Sequence, residues 1–392
     1  TDTRYDSRGN AVLVDSYYNL TAPNTTLVQP TTRTSILNSH RYSFDFDGRA
    51  TRDGFYSEET LKWQTLTAYK GDRVAVTPPA GGTPTTTVSD LQGRTTQLVQ
   101  HLGTDTSAPG ATTSYSYDPA GNMVRMVDAK GNRWDYTYDL SGNKLTAKDP
   151  DKGLSSSAYN AANQLVSTTD ARGVTLKYFY DNLGRSTRTT KADGTTVLVD
   201  TVYDTVKKGL VTSTGRHLAG GTITSRVDSY DTAGRATSAT VVVPQIDGLI
   251  PSQLAGSYTT TTSYNPDGSI NTQGLPATGP IPSETLSYGY TSLTGLPDTL
   301  TSTLGSTTAT YVTDTQYLQW GTIAAVILGT HSGKSIMTSY TRDPSTLRLT
   351  GSQLNRQINP GVTDESTTIS YDPTGNITQV RAAEADGQVD NQ

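Results

Sequence analysis

Short runs of alternating apolar and polar residues recur along the chain, most of them ended by a glycine-containing turn. In Trp134-Asp135-Tyr136-Thr137-Tyr138 the three aromatic residues share one face of an extended segment, and Asp135 and Thr137 share the other. Successive side chains of a strand point to opposite faces, so this is the pattern of a half-buried strand. Leu176, Tyr178 and Tyr180 fall in register in the same way. The pattern predicts strands of about six residues and an all-β fold. The longest apolar run, Ile323-Ala324-Ala325-Val326-Ile327-Leu328, reads as a buried strand. It is far shorter than the ~20 residues of a membrane helix.

The strands come in a repeat. Tyr117-Asp118-Pro119-Ala120-Gly121-Asn122 is followed 21 residues later by Tyr138-Asp139-Leu140-Ser141-Gly142-Asn143. The same interval leads to Tyr159-Asn160-Ala161-Ala162-Asn163 and then to Tyr180-Asp181-Asn182-Leu183-Gly184-Arg185. With looser spacing the signature returns at Tyr5-Asp6-Ser7-Arg8-Gly9-Asn10, Tyr230-Asp231-Thr232-Ala233-Gly234-Arg235 and Tyr371-Asp372-Pro373-Thr374-Gly375-Asn376. Weaker copies are Tyr203-Asp204, Tyr264-Asn265-Pro266-Asp267-Gly268 and Phe46-Asp47-Gly48-Arg49. A sustained period of this length marks a repeat architecture, in which one unit cannot bury its apolar face alone and neighbours complete it.

The motif has a mechanical reading. An aspartate at the first turn position bonds the backbone two residues on, and proline at the second presets φ. Glycine supplies φ > 0 and completes a three-residue hairpin loop with a bulge. The tyrosine closes the incoming strand, and the asparagine or arginine opens the outgoing one. A second turn follows about ten residues later, at Asp128-Ala129-Lys130-Gly131, Asp170-Ala171-Arg172-Gly173 and Lys191-Ala192-Asp193-Gly194. Asp149-Pro150-Asp151-Lys152-Gly153 is one residue longer. Each unit is therefore strand, turn, strand, turn, and stacked units would align Tyr117, Tyr138, Tyr159 and Tyr180 into a tyrosine ladder.

Composition sharpens this picture. Only 33% of the 392 residues are hydrophobic and 17% charged, with 23 Tyr against 4 Phe and 3 Trp. Disorder pairs low hydrophobicity with high net charge and few aromatics; a net charge of −5 and the tyrosines exclude it for most of the chain. Tyrosine buries its ring and keeps its hydroxyl at a wet boundary, which suits a sheet with one packed and one hydrated face. With no cluster of Lys or Arg there is no footprint for nucleic acid. The absence of cysteine excludes disulfides and thiolate metal sites without fixing a compartment. The chain opens inside a repeat, with no basic or apolar leader, so it reads as a piece of a longer protein.

The repeat extends over residues 1–392 as one region, most regular over 115–240, with insertions near 77–87, 103–113, 244–256 and 274–283. These Pro-, Gly- and Thr-rich segments read as surface loops, with a lid or partner-binding loop as the functional alternative. Residues 55–69 read as an irregular strand pair with Trp63 on the sheet, or else a local helical turn.

Candidate chemistry is sparse. His40, His101, His217 and His331 are scattered with no metal-ligand spacing, and His331-Ser332-Gly333-Lys334 lacks the glycine order of a nucleophile elbow. The paired carboxylates Asp149 and Asp151, Asp45 and Asp47, and Asp364 and Glu365 sit mostly in turns, where aspartate has a structural role. A single acid per turn is too few for a calcium cage. The residues thus predict no catalytic site, no metal and no cofactor. Trp134, Tyr136 and Tyr178 are the candidates for stacking on sugar rings, against the alternative of an inter-strand ladder.

Tyr-Asp-x-x-Gly-Asn/Arg at a 21-residue period resembles the bacterial RHS (rearrangement hot spot) and YD-repeat proteins. That group is related to the C component of insecticidal toxin complexes and to the animal teneurins. The resemblance covers essentially the full length, through about ten copies of the motif. It implies a long antiparallel sheet of YD-repeat hairpins that spirals into a hollow shell or cocoon. In bacterial members the shell encloses a C-terminal toxic domain, released by a self-cleaving segment. Other relatives act in cell-surface adhesion, with carbohydrate binding. A self-cleavage core of the Asp-Pro-x-Gly-x-x-Asp-Gly kind is matched only in its first half, at Asp372-Pro373-Thr374-Gly375, which reads as a repeat turn. The tail Ala385 to Gln392 reads as the lead-in to a further repeat.

The expected role is a non-catalytic shell around a C-terminal toxin or effector, secreted or on the surface of a bacterial cell. The expected partners are the remaining shell, that cargo, and glycans or an immunity or delivery protein. A cell-surface adhesion or carbohydrate-binding module is the alternative, and a polysaccharide-degrading enzyme a distant one.

Overall fold

A computed structural model of the chain describes residues 2–17, 36–57, 59–318, 321–331, 334–344, 346–356, 363–384 and 389–391. Every regular element among them is a β-strand. Each pairing whose register is resolved is antiparallel and joins strands that follow one another in sequence. The apolar run lies in strand Ile323–His331, but it is not a buried strand: Ala325 is buried while Ile323 and Leu328 are exposed. Ser332 and Gly333, and residues 385–388 and 392 of the tail, lie outside the described residues.

The chain divides into two compact units. The first comprises Thr1–Arg133, Tyr317–Ala325 and Ile336–Gln392, and the second Trp134–Gln316 and Val326–Ser335. In the first, strands pair successively from Asp2–Tyr5 to Met123–Val127. A second stretch runs from Lys334–Arg342 to Val389–Asn391. In the second unit the meander is continuous from Arg133–Tyr138 to Thr307–Tyr317. A meander reverses at every strand, so alternate turns lie on the same edge. Within each unit the Tyr-Asp turns consequently form a row along one edge, and the second turns of the repeat line the other.

Local chemistry explains the hairpins. Each Tyr-Asp strand ends at its tyrosine, which pairs six residues on across a register shift: Tyr117 with Met123, Tyr138 with Lys144, Tyr180 with Ser186. In the turn between, Asp118 N–H donates to Asn122 O at 2.9 Å and Gly121 N–H to Asp118 O at 3.0 Å. Gly121 has φ +93°, the left-handed conformation that closes such a loop with a bulge. Residues 55–69 are strands, Ala50–Ser57 and Thr60–Lys70, reversing at Glu59, rather than a helical turn.

Packing is thin. Among the described residues only Leu13, Phe55, Ile246 and Ala325 are buried hydrophobics, while Thr190, Thr240 and Ser302 are the most completely buried side chains together with Pro84. Thr240 Oγ1 meets Asp228 Oδ2 at 2.5 Å and Thr259 Oγ1 at 2.8 Å, so the interior of the sheet is hydrogen-bonded rather than greasy. The insertion near 244–256 folds back: Ile246 pairs with Ile250 and packs beside Gly220 and Gly221. In the insertion near 103–113 the strand already begins at Gly110.

Candidate functional site

The row of Tyr-Asp turns is where polar chemistry concentrates. In each turn the aspartate carboxylate gathers the loop. Asp139 Oδ1 accepts from Ser141 N and Asn143 N, both at 2.9 Å, and Oδ2 accepts from Asn143 Nδ2 at 2.9 Å. Where arginine replaces that asparagine, its Nε takes the same place: Arg94 on Asp90 at 2.8 Å, Arg185 on Asp181 at 2.7 Å, Arg235 on Asp231 at 2.7 Å. Asparagine and arginine alternate in the motif because either sets an N–H against the carboxylate. These bonds hold the aspartates below the usual carboxylate range, led by the side-chain bond from Asn122 at Asp118 and from Asn143 at Asp139. At Asp181 and Asp231 the backbone N–H of Arg185 and Arg235 leads.

The tyrosines join one repeat to the next. Tyr117 Oη donates to Thr95 O at 2.8 Å, and Thr95 is the first residue of the strand leaving the preceding turn. The same bond recurs from Tyr180 to Leu165 at 2.8 Å, Tyr203 to Ser186 at 2.9 Å, and Tyr264 to Ala236 at 2.9 Å. Tyr230 donates to Val211 at 2.6 Å and Tyr371 to Leu349 at 2.8 Å. The arginine of the preceding turn lies over the same ring: Arg94 on Tyr117 at 4.8 Å, Arg185 on Tyr203 at 4.3 Å, Arg235 on Tyr264 at 4.4 Å. It also reaches the next turn, as Arg94 Nη1 does at Asp118 O (3.3 Å) and Arg185 at the Asp204 carboxylate (2.6 Å). Described ring stacking is confined to His40, Tyr42, Phe55 and Trp63. The tyrosine row is thus built of hydroxyl bonds and cation–π contacts. Spacing alone gave no partner for the hydroxyl; the Asn/Arg choice after the glycine was the available signal for the ring.

The remaining motif residues take these places. Gly9, Gly142, Gly184, Gly234 and Gly375 have φ between +79° and +101°. Asp6 accepts from Arg8 N and Asn10 N at 2.9 Å, and Tyr5 is exposed. Tyr159 ends its strand before a turn in which Asn163, φ +58°, stands for glycine.

Trp134 donates from Nε1 to Asp149 Oδ2 at 3.1 Å, Lys144 Nζ lies 4.3 Å from the Tyr136 ring, and Tyr178 Oη is 3.0 Å from Thr168 Oγ1. All three are half-buried. Tyr178 lies four strands from the other two, about 19 Å at the usual strand spacing. The structure does not bring them into one cluster.

The carboxylate pairs are engaged locally. Asp45 and Asp47 both meet Arg49, Asp149 accepts from Asp151 N, and Asp364 meets Arg356. His40 pairs with Asp53 at 2.8 Å, and His217 bridges Asp200 (2.9 Å) and Thr222 (3.1 Å) across three neighbouring strands. No group of three or more His, Asp or Glu among the described residues could hold a metal ion. No helix there is long and apolar enough to cross a membrane.

A sheet edge built of Tyr-Asp turns and clasped from repeat to repeat defines a repeat scaffold. The RHS Repeat family model matches residues 70–133, 117–153 and 159–196, so this part of the chain carries RHS repeats. A search of the curated proteins finds no match. Among solved structures, the crystal structure of TcdB2-TccC3-TEV is similar at 18% identity and TM-score 0.77, covering 97% of this chain and 20% of that one. TcdB2-TccC3 without its hypervariable C-terminal region gives 16% identity and TM-score 0.77, covering 97% and 19%. The Photorhabdus luminescens Tc holotoxin pore gives 17% and 0.72, covering 88% and 18%. At these identities the likeness is one of fold, and the chain spans about a fifth of the length of the structures it matches.

Proposed function

We propose that this chain is a stretch of wall, read over 1–392 as one YD-repeat region, in a non-catalytic shell that encloses and shields a C-terminal toxin or effector polypeptide. The observation that carries this reading is the match of 97% of the chain to TcdB2-TccC3-TEV at TM-score 0.77. One such structure is described as lacking a hypervariable C-terminal region, in keeping with a constant wall and variable contents. Physical features support it. The most completely buried side chains include Thr190, Thr240 and Ser302, and the Thr240 and Ser302 hydroxyls bond within the sheet, so such a wall holds together without a large apolar core. The partners in this reading are the remaining wall and the cargo, with an immunity or delivery protein, and the setting is secretion from or display on a bacterial cell.

The test uses the full natural polypeptide. Protease added to the folded protein should leave the segment beyond residue 392 intact at doses that digest the same segment expressed alone. Digestion at equal rates refutes enclosure. A glycan array separates the adhesive alternative: binding abolished by Trp134→Ala would replace the enclosing role with a surface one.

A further inference from the structure

Within the first unit, two segments almost three hundred positions apart in sequence meet. Asn376 Nδ2 lies 3.5 Å from Gly81 O, across 295 residues. The loop after strand Arg73–Thr77 turns through Gly82 N–H to Pro79 O at 3.0 Å, with Gly81 at φ +97°. A Cβ on Gly81 would stand 2.1 Å from Asp372 Oδ2, and one on Gly82 would stand 2.9 Å from Thr374 Cγ2. At position 81, where φ is also positive, only glycine fits this approach. Beneath the contact, Trp63, Pro78, Pro79 and Pro373 line one cavity of about 270 Å³.

Elsewhere in the row, the side chain after the left-handed turn residue, Gly93 or Leu347, reaches the next turn. Arg94 binds Asp118 O and Arg348 binds Asp372 O. Asn376 holds that same position in its own turn, and what it reaches is the Pro78–Gly82 loop. We propose that this loop is an intramolecular clasp, which docks on the Asp372–Asn376 turn in the place that a following repeat's turn takes elsewhere. It ties strands Glu365–Tyr371 and Ile377–Glu384 to strands Thr60–Lys70 and Arg73–Thr77. The clasp stands independently of any enclosed cargo.

The chain has no cysteine, so a single introduced pair reports cleanly. Gly82→Cys with Thr374→Cys in the full chain should oxidise to an intramolecular disulfide, seen as faster migration on a non-reducing gel and reversed by reductant. A cross-strand pair, Gln97→Cys with Ser114→Cys, serves as the positive control. Two free thiols at 82 and 374, where the control pair is oxidised, overturn the clasp. Should that variant misfold, hydrogen exchange on Gly81→Leu decides. Exchange should rise about tenfold in both 78–82 and 372–376. Gly248→Leu, with φ +72° and nothing within 4 Å of its Cβ, carries the strain without the contact and should perturb only its own loop. Loss of protection at 78–82 with 372–376 unchanged also overturns the proposal.

Discussion

In each Tyr-Asp turn a carboxylate, a glycine and an asparagine or arginine perform one closure. The glycine is required where φ is positive. Gly142 has φ +83°, and the equivalent Asn163 has φ +58°, so the site tolerates asparagine but not a β-branched residue. Gly142→Val should weaken hairpin Arg133–Tyr138/Lys144–Asp149 by about 1–3 kcal/mol, and Gly142→Asn by much less, read by local hydrogen exchange. Equal effects of the two would remove the left-handed turn as the cause. The carboxylates set the acid limit. Hydrogen bonds lower the folded-state pKa of Asp118, Asp139 and Asp181, and bring Asp193, Asp204 and Asp372 to about 2. Because the folded values lie below the unfolded one, their contribution is present above about pH 4 and is lost as pH falls through the folded pKa. Thermal stability should stay level from pH 7 to about 5 and decline between about 4 and 2. A decline centred near pH 6 would remove the turn aspartates as its cause.

Between elements, stability passes from neighbour to neighbour, as in other repeat folds. Tyr117→Phe removes the bond to Thr95 O and should cost about 1 kcal/mol, registered as faster exchange in strands Thr95–His101 and Gly110–Tyr117. Thr240 joins Asp228 on one neighbouring strand to Thr259 on the other. Thr240→Val should therefore loosen Gly221–Tyr230, Ala236–Val243 and Gly256–Tyr264 together, while Arg133–Tyr138 keeps its protection. A chain-wide loss of protection would mean that the repeats unfold as a block.

For the whole molecule the decisive quantity is exposed area. The chain exposes 24308 Å², where a compact protein of this length exposes about 15,000 Å². Folding therefore removes about a fifth less surface than usual from water. The heat-capacity change of unfolding should fall about a fifth below the 12–15 cal/mol/K per residue of globular proteins. A calorimetric value at or above that range would require apolar burial that this sheet lacks.

What is local was legible in the order of residues. Tyr117-Asp118 to Gly121-Asn122 encodes a strand end, a turn and a bulge within six residues, and the alternation around Tyr136 encodes which side chains share a face. Those features depend on φ, ψ and bonds spanning a few residues, so the repeat and the all-β class were readable there. Tertiary structure alone decided the rest. It sent the Tyr117 hydroxyl to Thr95 O and laid Arg94 over the ring. It kept Trp134 and Tyr178 apart, and brought Gly81 against Asp372. The position of that last contact depends on the summed twist and register of every strand between, which no single segment of the chain encodes.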